Sequence, residues 1–261
     1  MGATRAAFGF LRSVLSSLPM RVLVISDIHA NLVALEAVLE DAAGEYDVVW
    51  CLGDLVGYGP DPNECVERVQ TLPGLRCLIG NHDAAAIGDI DLGEFNPDAR
   101  AAVAWTQNAL SSGSLDYIEN LPDRDEQGPF TLVHGSPRQP VWEYILDRHI
   151  AMQNFRHFQT EYCLVGHTHI PVVYRRDSGR QTESPPDYCH ALVLNGDRFI
   201  LNPGSVGQPR DGDPDAAYAL LDTEALRWQH RRAPYEVAET QRRMDALDFP
   251  TRLIVRLSQG W

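Results

Sequence analysis

Nine side chains able to bind a metal or move a proton fall in five short clusters: Asp27 and His29; Asp54; Asn81, His82 and Asp83; His134; and His167 and His169. Each cluster follows an apolar run of strand-like composition, over residues 21–26, 47–52, 75–79, 130–133 and 162–165. Taken singly, each residue has an ordinary explanation. Asp27 suits a helix cap, Asp54 a turn, and His134 a hydrogen-bonded structural role. Those explanations do not account for every strand end of one sheet carrying the same residue types, which points to chemistry at the carboxyl edge.

The spacing points to metal. In extended chain, residues two apart face the same side, so Asp27 with His29, and His167 with His169, each reach a common point while Ile28 and Thr168 turn away. Nitrogen and oxygen donors without thiolate suit manganese, iron, zinc or nickel rather than calcium or magnesium. Seven candidate ligands (Asp27, His29, Asp54, Asn81, His134, His167 and His169) exceed one tetrahedral site and fit two divalent ions sharing a carboxylate. With only Asp27 and Asp54 charged among them, two such ions leave a local positive excess suited to a phosphate.

The elements that must position these residues read as strand, helix, strand, helix, strand from 21 to 79, with helices expected from Asn31 to about 43 and from Pro62 to about 70. That order implies a largely parallel sheet with right-handed crossovers. A helix is suggested over 84–87, followed by helices opening at Pro97 and Ser114; residues 84–121 and 137–160 form rim segments. Trp142 and Tyr144 in the second segment are placed to close a core or stack on a base. Beyond 166, short strands near 172–175, 188–194, 199–201, 217–221 and 226–231 predict a second, mostly antiparallel sheet. Residues 182–187 read as a hairpin tip or loop, and 235–247 as a closing helix.

Composition sets the bounds. The 261 residues are 44% hydrophobic and 22% charged, ordinary for a globule with a sizeable core. A net charge of -14 argues against gripping a nucleic-acid backbone, which needs a basic face, but leaves room for a small phosphorylated substrate. Five scattered cysteines without a C-x-x-C pair suggest a reducing cytoplasm. Residues 1–19 read as an N-terminal extension outside the core domain of 20–261. Arg12 breaks their apolar run, and no membrane span is expected.

The motifs D-x-H, G-D-x-V, G-N-H-D, H-G and G-H-T-H, in this order between about 20 and 222, resemble the calcineurin-like metallophosphoesterase superfamily. The strings Gly53-Asp54-Leu55-Val56-Gly57-Tyr58-Gly59-Pro60, His134-Gly135-Ser136-Pro137-Arg138 and Asn202-Pro203-Gly204-Ser205-Val206-Gly207-Gln208-Pro209-Arg210 are similar to its small bacterial and archaeal branch. The resemblance implies an α/β fold, a four-layer αββα sandwich of two mixed β-sheets flanked by helices. It implies one ion on Asp27, His29, Asp54 and His169, and another on Asp54, Asn81, His134 and His167. It also implies that His82 is a proton donor to the leaving group, steered by Asp83. Arg138 and Arg210 follow family-like strings and are candidates for phosphate contact. No Arg lies between Gly53 and Asn63, unlike the larger protein phosphatases of the superfamily. The expected activity is metal-assisted hydrolysis of a phosphodiester in a small, nucleotide-like substrate. Alternatives are a dinucleoside polyphosphate hydrolase, a phosphomonoesterase, or a non-catalytic interaction module of the same fold.

Overall fold

The computed structural model describes residues 20–177 and 180–261; the extension expected over 1–19 lies outside them. Strand β1 (Arg21–Ile25) shows why the sheets form. Its alternate residues are all buried: Val22 and Val24 enter one apolar cluster, and Leu23 and Ile25 another. A strand buried on both faces needs a layer on each side. On one side lie α1 (Leu32–Asp41) and α2 (Pro62–Gln70), with Ala34, Leu35, Val38, Val66 and Val69 packed on the sheet. On the other side lies a second sheet, which contributes Phe130, Leu132, Tyr162 and Leu164 to the shared cluster.

The first sheet runs β3-β2-β1-β11-β12-β9, with β2 (Val48–Cys51) and β3 (Arg76–Cys77) parallel to β1, and β11 (Ala216–Asp222), β12 (Arg227–Ala233) and β9 (Leu192–Val193) antiparallel to their neighbours. The second runs β4-β5-β6-β10-β7-β8. Here β5 (Phe130–Val133), β6 (Tyr162–Leu164) and β10 (Arg198–Asn202) are parallel, and β4 (Arg124–Gln127), β7 (Val172–Arg176) and β8 (Gln181–Ser184) antiparallel. Helix α6 (Arg148–Asn154) covers its outer face with Ala151, beside Phe155 and Phe158. The αββα sandwich of two mixed sheets is therefore present. The division of strands differs from the sequence expectation: those beyond 166 are shared between both sheets, and the five ligand-bearing strand ends come from two sheets, not one. Of residues 182–187, expected as a hairpin tip or loop, 182–184 belong to strand β8.

A third packing region lies over the strand ends. Helices α3 (Asn81–Ala86), α4 (Pro97–Ala109), α7 (Val237–Ala246) and α8 (Thr251–Leu257) bury Ala85, Ala99, Val103, Met244, Leu253 and Leu257 around Tyr58 and Phe95. Helix α5 (Ser112–Glu119), capped by the Ser111 hydroxyl, packs Ile118 against the first sheet. Among the described residues, no helix is long and apolar enough to cross a membrane.

Candidate metal centre

The two sheets bring their carboxyl ends together closely enough to share side chains. The Gly166 amide donates to the His134 carbonyl at 2.8 Å within the second sheet, and His134 Nδ1 reaches across to the Leu52 carbonyl of the first at 2.9 Å. A Cβ at Gly166 would lie 1.9 Å from Ser26 Oγ, so only glycine permits this approach. The turn after β1 is fastened to the turn after β2 by three backbone bonds: Asp27 to Gly53, His29 to Asp54 and Ala30 to Leu55, at 2.8 to 3.0 Å.

These bonds hold the functional residues in an unusual conformation. Asp27, His29, Asp54, His167 and His169 all have positive φ, between 49° and 65°. Both i, i+2 pairs thus converge through left-handed backbone, not through the extended chain inferred from their spacing. Asn81, His82 and Asp83 form the first turn of α3, which starts three residues before the helix suggested by sequence.

All seven candidate ligands are buried. Atoms of Asp27, His29, Asp54 and His169 lie within 4.8 Å of one another, as do atoms of Asp54, His134 and His167. Asn81 joins the second group, its Oδ1 lying 3.2 Å from His134 Nε2. The four histidines share one arrangement. His29 Nδ1, His134 Nδ1, His169 Nδ1 and His167 Nε2 each face a backbone carbonyl, of Val56, Leu52, Gln208 and Trp142, at 2.6 to 3.1 Å. A carbonyl only accepts, so these nitrogens carry the proton and the opposite ones present bare lone pairs. The bare nitrogens oppose each other: His29 Nε2 and His169 Nε2 at 3.0 Å, His134 Nε2 and His167 Nδ1 at 3.2 Å. Asp54 Oδ2, between the two groups at 3.5 Å from His29 Nε2 and 3.4 Å from His134 Nε2, is buried and accepts no hydrogen bond.

Opposed lone pairs and an orphaned carboxylate oxygen repel unless positive charge lies between them. Where no cation neutralises the carboxylate, a proton does so instead. Burial opposes charging His134, yet Asp54 beside it pushes the ring up to about 9. Burial and then the His134 charge push His167 down to about 3. The donor set fits metal cations, and Asp54 belongs to both groups.

His82 stacks among rings, with centroids 4.3 Å from Tyr58, 4.9 Å from His29 and 5.0 Å from Phe95, and its Nδ1 has no partner. Gly57, at φ +85°, lies behind it; a Cβ there would meet Nδ1 at 2.5 Å. Burial pushes His82 down to about 4, with Asp54 opposing and Arg210 assisting, so its resting form is neutral. Asp83 does not steer the ring. Its oxygens accept from the Gly80 and Val56 amides, both at 3.0 Å, which ties the turn after β2 to the end of β3.

The two arginines separate. The Arg138 guanidinium is held by Glu143 and by Gln153 Oε1 at 2.8 Å, which gives it a structural role. Arg210 lies with its guanidinium carbon 5.6 Å from the Tyr58 ring centroid and donates to Gln208 Oε1 at 2.9 Å, and its buried Nε has no partner. Tyr144 is stacked on His167 at 3.6 Å between centroids, and Trp142 packs edge-on against Phe95 at 5.4 Å. Sequence reasoning passed over Tyr58, although the glycines on either side of it marked a turn that brings backbone close to something.

A solved metallophosphoesterase from Sphaerobacter thermophilus is 50% identical, with 93% of this chain and 99% of that one covered at a TM-score of 0.85. An uncharacterized protein of Methanocaldococcus jannaschii is 34% identical over 247 residues, covering 92% of this chain and 98% of its own length. The phosphodiesterase YfcE of Escherichia coli is 26% identical over 222 residues, 79% of this chain and 90% of that protein. Residues 20–226 match the calcineurin-like phosphoesterase superfamily domain. With its sandwich of two mixed sheets and its paired Asp/His groups able to hold metal, the chain belongs to that superfamily and is a metallophosphoesterase.

Proposed function

We propose that this chain hydrolyses phosphodiesters in small, nucleotide-like substrates at a two-metal centre. The observation that carries the reading is the opposition of bare histidine nitrogens at 3.0 and 3.2 Å on either side of the unpartnered Asp54 Oδ2. Asp27, His29, Asp54 and His169 would hold one cation, and Asp54, Asn81, His134 and His167 the other. Two divalent ions there supply acidified water and charge neutralisation for an in-line displacement. The chain's own residues do the rest. The backbone carbonyls of Val56, Leu52, Gln208 and Trp142 fix the tautomer of each ligand histidine. Tyr58, Phe95 and Gly57 confine the His82 ring. Phosphoryl charge arriving beside that ring favours its imidazolium, from which the departing alkoxide takes a proton. Arg210 offers an N–H to a phosphoryl oxygen. The phosphodiester preference draws on the likeness to YfcE.

Manganese-loaded protein is expected to bind two ions per chain and to hydrolyse bis(p-nitrophenyl) phosphate; two bound ions with no turnover on any phosphoester would overturn the reading. His82→Ala should lower kcat/KM on alkyl esters by about a hundred- to ten-thousand-fold and on p-nitrophenyl esters far less, because nitrophenolate leaves without a proton. Equal losses on both would remove the general-acid role.

A further inference from the structure

The string from Asn202 to Arg210 supplies none of the seven candidate ligands, yet its backbone is laced to two of them. The Ser205 hydroxyl donates to the Asp27 carbonyl and accepts from the Gln208 amide, both at 2.8 Å. His169 is gripped twice: its Nδ1 donates to the Gln208 carbonyl at 2.6 Å, and its own carbonyl accepts the Arg210 amide at 3.2 Å. The side chains of Gln208 and Arg210 therefore start beside the group of Asp27, His29, Asp54 and His169.

Those two side chains meet each other. Arg210 Nη2 donates to Gln208 Oε1 at 2.9 Å. Among the described residues, nine other arginines pair with a carboxylate, whereas Arg210 has this amide instead. Two N–H groups of the pair, Arg210 Nε and Gln208 Nε2, are buried without a partner, and Gln208 is only 2% exposed. A buried donor is costly unless something accepts from it. The Arg210 guanidinium carbon lies 5.6 Å from the Tyr58 ring centroid, and that ring is 4.8 Å from His29 and 4.3 Å from His82. Gln208 borders a narrow gap with His29 and Tyr58. The unsatisfied donors thus belong to side chains that border the metal centre, where a phosphoryl oxygen would arrive. An amide oxygen orients a guanidinium and leaves its charge whole. A carboxylate would bond it more strongly, cancel that charge and repel a phosphoryl group.

We propose that Gln208 determines specificity for an oxyanion at this centre: its Oε1 aims Arg210 without neutralising it, and its Nε2 donates to a phosphoryl oxygen. The inference rests on the phosphoesterase reading and adds to it a residue whose side chain binds no metal.

Gln208→Glu keeps the shape and the bond to Arg210 but replaces the donor with negative charge. In manganese-loaded protein it should lower kcat/KM on bis(p-nitrophenyl) phosphate at least about tenfold, and Gln208→Ala should lower it less. Calorimetric titration with tungstate, a phosphate-shaped dianion, provides a readout independent of turnover, and its Kd should rise in the same order. Packing alone predicts the reverse order, because glutamate fills the space that alanine empties. Metal per chain, measured by elemental analysis, should match the wild type in both variants, since the Gln208 carbonyl that meets His169 is untouched. A Gln208→Glu protein that binds tungstate as the wild type does, or a loss that tracks missing metal, would overturn the assignment. Should Gln208→Glu fail to fold, an unchanged tungstate Kd in Gln208→Ala would do so. If the wild type turns over no phosphoester, the phosphoesterase reading fails alone, and the titration still decides on Gln208.

Discussion

One carboxylate oxygen, Oδ2 of Asp54, faces ring nitrogens of both ligand groups and accepts no hydrogen bond, while Oδ1 takes the His82 amide at 2.9 Å. Asp54→Asn keeps the shape and removes the charge. It also offers the site an amide whose N–H₂ cannot ligate. Metal per chain, measured by elemental analysis, is therefore expected to fall from two ions to one or none, with kcat/KM on an aryl phosphodiester down at least about a hundredfold. A variant retaining two tightly held ions would contradict the bridge. At this scale the sequence was informative about identity: all seven candidate ligands are brought together. It was uninformative about conformation. The left-handed backbone at Asp27, His29, Asp54, His167 and His169 depends on hydrogen bonds such as Asp27 N to Gly53 O, made to residues distant in sequence. The family resemblance made Asp83 a partner for His82. In a helical first turn, adjacent side chains diverge, and its carboxylate meets backbone amides instead.

The loop from His134 to Glu143 is held by a charged carboxylate. Glu143 accepts from Ser136 Oγ at 2.6 Å, Asn154 Nδ2 at 2.9 Å and Arg138, fastening the loop to α6, and the loop in turn presents the Trp142 carbonyl to His167. Burial raises the Glu143 carboxyl, but Arg138, Ser136 and Asn154 outweigh it and hold the group at about 2. A carboxylate depressed in the folded state contributes stability that is complete above its unfolded pKa of about 4.5 and disappears as pH falls through about 2. In EDTA, Glu143→Gln should thus be less stable than wild type by on the order of 1 to 3 kcal/mol at pH 6, measured by urea unfolding. The gap should close between pH 4.5 and pH 2. A gap independent of pH would mean the contacts do not depend on ionisation. Besides β8, strand β4 and helix α8 escaped the sequence reading. Strand β4 is Arg-Asp-Glu-Gln, an edge strand with no apolar alternation to detect. Helix α8 has only seven residues, too few for periodicity to stand out.

Across the whole molecule, the candidate metal centre takes its residues from both sheets, whose ends are also fastened by backbone bonds from Val206 to Ser26 and from Gly207 to Asp27 at 3.0 and 2.9 Å. Asp27 and Asp54 come from the first sheet, His134, His167 and His169 from the second, and all are buried. Cations bound by the folded chain and not by the unfolded one stabilise it by about 2.7 kcal/mol per site at a hundred times the dissociation constant. With two sites, manganese should therefore raise Tm in calorimetry by roughly 10 to 20 °C over EDTA-treated protein, on a scale of about 2 to 4 °C per kcal/mol for a chain of this size. An unchanged Tm would place bound metal elsewhere. The two-sheet architecture was anticipated from family resemblance. Hydrophobic pattern alone assigned strands to the wrong sheets, because an apolar run indicates that a strand is buried and says nothing about which neighbour it pairs with.

The positive φ angles carry a consequence for how such a chain can change. A non-glycine residue in that region costs on the order of 1 kcal/mol, and Asp27, His29, Ala30, Asp54, Tyr58, His167 and His169 all adopt it around one centre. Without metal, heat resistance and metal retention then impose opposite selection at the same codons. A library screened for thermostability in EDTA would drift toward glycine at positions 29, 167 and 169, yielding sturdier apoproteins that no longer hold a cation.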